Sequence, residues 1–245
     1  MNSIAYADLP RQRYLYGLAF CALYVMVVLS RQAAGEPDAV PPVREIIVRA
    51  IPFIEQKGAE WIASKSCISC HHTALMVWSL NLAKQKGIRV DQNQLGKWKD
   101  WASDWHHLVN VKSASRKDAV AGQPDTLAQL LLSTAEGKSA TQPQWSIEYA
   151  HDLVTAQQQD GSWKSGGQLP AQKRPIRETQ EVSTNWVALA LGTSDLSNEI
   201  KSNCIHKANV WLGDETTGVS TEWWATRYLL RRQFGNPAAG TDQGG

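Results

Sequence analysis

Hydrophobic side chains recur along this chain with a helical period. From Val43 they fall at Ile46, Ile47, Ala50, Ile51, Ile54, Trp61 and Ile62, the i, i+3, i+4, i+7 spacing of an amphipathic helix that Pro52 is expected to kink. The segment Thr73 to Lys86 is apolar nearly all round and predicts a helix buried between others, with Gly87 ending it. Asp91 opens the next helix, whose apolar face is Leu95, Trp98, Ala102, Trp105, Leu108 and Val109. Further helices are predicted at 125–136, with Asp125 as N-cap and Gly137 as stop, and at 144–158, 179–191, 199–212 and 221–233. No stretch alternates apolar and polar residues long enough for a strand, so the fold class is all-α. Apolar-rich helices (179–191, 221–233) alternate with more amphipathic ones, as stacked helical hairpins do. The interval Asp160–Arg177, DGSWKSGGQLPAQKRPIR, has the composition of a long loop.

Ahead of the first helix the pattern changes. Arg11 and Arg13 precede an uncharged run from Tyr14 to Ser30, followed by small residues at Ala33, Ala34 and Gly35. A basic start, an apolar stretch and a small-x-small site describe a secretory signal covering residues 1–35, although a run of this length could also stay as a membrane anchor. Cys21 lies inside the run, as an apolar filler. Either way the rest of the chain is expected to be exported, to a periplasm or its equivalent. Residues 36–235 then form the helical domain, and 236–245 a small, polar tail.

Composition narrows the class further. The 245 residues carry 25 basic and 23 acidic side chains, which disfavours a nucleic-acid partner held by bulk charge. Four cysteines are too few for a disulfide scaffold. Eleven tryptophans against three phenylalanines is unusual, and inter-helix packing is the ordinary use of such residues.

The sharpest chemical signal is Cys67-Ile68-Ser69-Cys70-His71. C-x-x-C-H is the attachment sequence of c-type haem: two thiols at i and i+3 add to the porphyrin vinyl groups, and the next residue offers its imidazole to the iron. One covalent haem per chain is therefore expected, on Cys67 and Cys70, with His71 as proximal ligand. A zinc half-site, a redox-active thiol pair and a local disulfide remain alternatives. His72 follows too closely to reach the opposite face of the same iron and reads as a helix-start residue. Met76, the only methionine after the signal, is also too near. The hairpin predicted for 73–86 and 91–109 returns His106 and His107 to the motif's end, making His107, or else His106, the candidate sixth ligand. His151 and His206 read as packing or solvent-facing residues.

The segment Gln157-Gln158-Gln159-Asp160-Gly161-Ser162-Trp163 resembles the Q-x-x-D-G-x-W repeat signature of squalene and oxidosqualene cyclases. The stretches SCISCHHTALMVWSLNLAKQKG (66–87) and GGQLPAQKRPIRETQEVSTNW (166–186) resemble exported bacterial proteins named for prenyltransferase and squalene oxidase repeats. The likeness spans roughly residues 43–235 and implies a partial α/α toroid. The repeat's physical role is structural: the glutamine bonds backbone at a helix end, Gly161 supplies the turn and Trp163 covers the junction. The acidic D-x-D-D cluster of protonating cyclases is absent, which argues against terpene cyclisation. The expected role is electron transfer or redox sensing with an unspecified redox partner, and a membrane contact only if the N-terminal segment is retained. The alternative is a non-catalytic toroid that binds a partner or apolar ligand through the 160–177 loop, with Lys173, Arg174 and Arg177 as contacts; a terpene enzyme ranks third.

Overall fold

The computed structural model describes residues 42–68, 70–108, 115–134, 142–166, 170, 173–213 and 218–234, with backbone alone at Cys70 and His71. The expected signal segment, Cys21, the stop at Gly137 and the tail all lie outside these residues. Contacts divide the chain after Ile46, and the packing below is that of Ile47 onward. Every described element is helical: α1 (Val43–Lys65), α2 (Leu75–Gln85), α3 (Gln92–Ser103), α4 (Arg116–Gly122), α5 (Pro124–Thr134), α6 (Gln144–Thr155), α7 (Ile176–Thr193), α8 (Asn198–Leu212) and α9 (Thr221–Phe234). Among the described residues there is no strand, and none of the helices is long and apolar enough to cross a membrane.

Several boundaries differ from the sequence expectation for identifiable reasons. Pro52 sits within the 23-residue helix α1 without ending it. The helix expected from Asp91 to Val109 stops at Ser103, because the Asp104 side chain caps a separate 3-10 turn, Trp105–His107, by accepting from the His106 N–H. Asp125 is not an N-cap: the helix starts at Pro124, whose missing N–H costs nothing at a first helical position. Helix α4 was not expected, although Ser115 and Asp118 form its cap in the sequence-readable S-x-x-D arrangement.

Contact pairs fix the helix directions. Helices α1 and α2 are antiparallel, since Trp61 stacks on His72 while Gly58 meets Met76. The Asn81 amide donates to the Ser133 carbonyl at the end of α5, and the turn preceding α2 packs on the same helix, so α2 and α5 run in one direction. Helix α7 pairs with α9 in ascending order, Glu181 with Trp223, Asn185 with Thr226 and Gly192 beside Phe234, so these two are parallel as well. The larger core gathers α5, α7 and α9 with Trp163, Trp223, Leu127, Leu130, Leu153 and Leu191. A smaller one ties α1, α2 and α3 through Ile51, Val77, Leu80, Leu95 and Trp98.

The 157–163 motif does what its chemistry suggests. The Gln157 amide donates to the carbonyls of Gly161 and, 47 residues on, of Cys204 in α8, both at 2.9 Å. Gly161 has φ +95°, and a Cβ there would come within 2.4 Å of the Lys207 carbonyl oxygen, so both its handedness and its lack of a side chain are required. Trp163 is fully buried and its indole N–H donates to the Leu153 carbonyl at 2.7 Å. One turn thereby fastens α6 to the α7–α8 hairpin.

Candidate functional site

The Cys67–His71 motif occupies the turn between α1 and α2. Helix α1 ends at Ser66, a non-glycine residue at φ +49° whose N–H still bonds the Ile62 carbonyl. A left-handed Ser is held only where its surroundings enforce it. They do so on both sides: the Trp61 indole donates to the Cys67 carbonyl at 3.1 Å, and Ile68, fully buried, donates its N–H to the His107 carbonyl at 2.6 Å. A parallel bridge between Ile68 and Leu108 completes the clamp. The chain then enters a π-helical turn, Cys70–Ala74, before α2 begins. Wide single turns of this kind recur at functional sites.

Cys67 is a partly buried free thiol. The side chains of Cys70 and His71 lie outside the described residues. Among the described residues no three His, Cys, Asp or Glu side chains converge on a metal position.

Three histidine rings beside the motif each lie on a tryptophan: His72 on Trp61 (centroids 3.9 Å), His107 on Trp101 (4.0 Å) and His106 on Trp105 (3.9 Å). The two ligand candidates differ in setting. His107 is half-buried, and its Nδ1 lies 2.8 Å from the Trp101 carbonyl. A carbonyl can only accept, so Nδ1 carries the proton and Nε2 keeps its lone pair. This is the arrangement by which ligating imidazoles are oriented. His106 is 66% exposed and its Nδ1 contacts Asp104 at 2.7 Å. Burial opposes the charge on Asp104, but the His106 backbone N–H and ring hold its carboxyl below the usual range. Thus the His107 backbone is brought against the motif and its ring is held on Trp101, while His106 faces water. His151 and His206 are exposed, and Met76 is buried against Gly58, away from any ligand role.

The surface next to the motif also suits a large apolar group. Between α1 and α2 lies a cleft of about 420 Å³ with apolar walls from Phe53, Ile54, Leu75 and Met76 and with His72 at its edge. Of the motif's neighbours, His72 lines this cleft, so apolar walls begin directly after the C-x-x-C-H turn.

The basic residues of the 160–177 loop also make contacts within the chain. Arg174 donates to Ser220 Oγ at 3.1 Å and pairs with Glu222 at 2.7 Å, while Arg177 pairs with Glu181 at 2.7 Å and lies 3.7 Å over the Trp211 ring. Both are committed to α8, α9 and the turn before α9; Lys173, at φ +56°, is exposed.

A feature the sequence reading missed is the polar interior behind the motif. The π-helical turn packs on α5, and Thr73 is fully buried with no partner for its hydroxyl among the described residues. In the first turn of α5, Asp125 is fully buried and accepts from the Gly166 N–H at 3.3 Å. Burial, with a smaller push from Glu222, raises its pKa to about 7. Glu178 is buried too, but the Ser220 and Val219 N–H groups and Arg174 offset that burial and hold it ionised.

No family model matches this chain, and neither a curated protein nor a solved structure is significantly similar to it.

Proposed function

We propose that this chain is an exported c-type haem protein acting in electron transfer or redox sensing. The observation that carries the reading is the clamp of the C-x-x-C-H turn onto the His107 backbone through the Ile68 N–H, beside an imidazole that Trp101 orients. In this reading Cys67 and Cys70 would hold the porphyrin through thioethers, and His71 and His107 would offer their imidazoles to its iron. The bound iron supplies a one-electron couple whose potential is set by its axial ligands and by burial. The chain's own residues fix the geometry. Trp101 holds the His107 ring by stacking and by its carbonyl, Trp61 fixes the Cys67 backbone, and the buried Ile68 keeps the turn from shifting. The scaffold we infer is a partial α/α toroid, with α2, α5, α7 and α9 inside and α6 and α8 outside. The common direction of α2 with α5 and of α7 with α9 supports it, as does the fastening of α6 to the α7–α8 hairpin.

Production in a host that matures c-type cytochromes tests this directly. The chain is expected to gain one haem mass, ~616 Da, through two thioether bonds, and the double variant Cys67→Ser/Cys70→Ser to lose that covalent mass. Colourless protein of unchanged mass from that host defeats the reading.

A further inference from the structure

The cleft between α1 and α2 has a chemistry of its own. Its walls are side chains that a folded chain ordinarily hides, and Phe53 stands 63% exposed at the mouth. The floor is tight: a Cβ on Gly58 would come within 1.9 Å of Met76 Sδ, so the two helices meet there and part above it. Among the described lining residues the only fixed charge is Lys57, and no carboxylate lines the cleft. The Lys57 ammonium is held sideways by Glu60 at 2.7 Å, in an exposed pair worth little and easily exchanged. An apolar slot with one cation at its rim matches a ligand with an apolar body and an acidic head.

We propose that this cleft binds an amphipathic carboxylate, its apolar body between Phe53, Ile54, Leu75 and Met76 and its acid on Lys57 in exchange for Glu60. Two sources share that chemistry: the propionate-bearing edge of a porphyrin held at the adjacent Cys67–His71 turn, and a free long-chain fatty acid. The first source rests on the haem reading; the site itself does not.

The full chain made without haem maturation is titrated with dodecanoate, and tryptophan emission is followed, since Trp61 lies on His72 at the cleft's edge. Dodecanol and dodecyltrimethylammonium are the comparators. Saturable binding of dodecanoate, tighter than either comparator, is expected. Lys57→Met should weaken it and Glu60→Gln tighten it, each by about two- to fivefold, the range of an exposed ion pair. Ser79→Trp, at an exposed lining position, should abolish it with no change in thermal unfolding. Equal binding of dodecanol and dodecanoate, or unaltered binding by a normally folded Ser79→Trp chain, overturns the proposal. Repeating the titration on haem-loaded chain separates the sources: lost binding assigns the cleft to the porphyrin edge, and retained binding to a free acid. If no haem attaches, the first titration still decides the cleft.

Discussion

Asparagine at position 125 preserves the shape of Asp125 and its acceptor for the Gly166 N–H while deleting the charge. Asp125 is fully buried, and that burial pushes its pKa up to about 7, against ~3.9 for an aspartate in an unfolded chain. Between those values the folded chain keeps a proton that the unfolded chain releases. Its contribution to stability is therefore intact below pH ~4, falls as pH rises and levels off above pH ~7. A gap of about 3 pH units at ~1.4 kcal/mol each amounts to about 4 kcal/mol. Asp104, Asp160 and Glu178, all held below their ordinary values, act with the opposite sign: their stabilisation is present above the unfolded pKa and is lost as pH falls. Subtracting the wild-type curve from that of Asp125→Asn cancels those groups. Urea unfolding at a series of pH values should find the two chains within about 1 kcal/mol at pH ~4.5 and the variant more stable by about 4 kcal/mol at pH ~8. A difference that stays flat across that range would refute the claim that the interior holds Asp125 as a neutral acid.

The other expectations concern packing and the motif. Gly161→Ala meets both a left-handed φ and the Lys207 backbone carbonyl and should cost about 3 kcal/mol or more, whereas Gly58→Ala presses only on the Met76 side chain and gains helix propensity, for a net loss of about 1 kcal/mol or less; chemical denaturation compares them. Trp163→Ala should cost about 3–5 kcal/mol in the same assay, because the indole is fully buried and its N–H is satisfied. In haem-loaded protein His107→Ala should open the iron to carbon monoxide while His106→Ala leaves the ferrous spectrum unchanged; equal spectra for both variants would remove His107 from the ligand set.

Helical periodicity and the turn chemistry of 157–163 were legible in the sequence because each depends on residues close together along the chain. What could not be read depends on long-range approach or on competition between local hydrogen bonds. Helix α3 stops early because Asp104 prefers to cap the next turn, a competition between local hydrogen bonds that hydrophobic spacing does not report. The return of His107 to the motif was expected from a hairpin, but it is achieved by the Ile68 N–H and the bridge to Leu108, with the imidazole turned by a stacked tryptophan. Asp125 looked like a cap; its burial comes from α5 lying between the π-helical turn and α7. Arg174 was a candidate contact in the 160–177 loop, and only the folded chain pairs it with an acid 48 residues on.

The Gln157 amide reaches its own turn and the α8 backbone with a single nitrogen, so neither contact can open without straining the other. Local fraying of α6 would release Trp163 from the Leu153 carbonyl and expose an indole that contributes to the main core. The amides of α6, α7 and α8 should consequently exchange with solvent as one cooperative block, at rates governed by global unfolding.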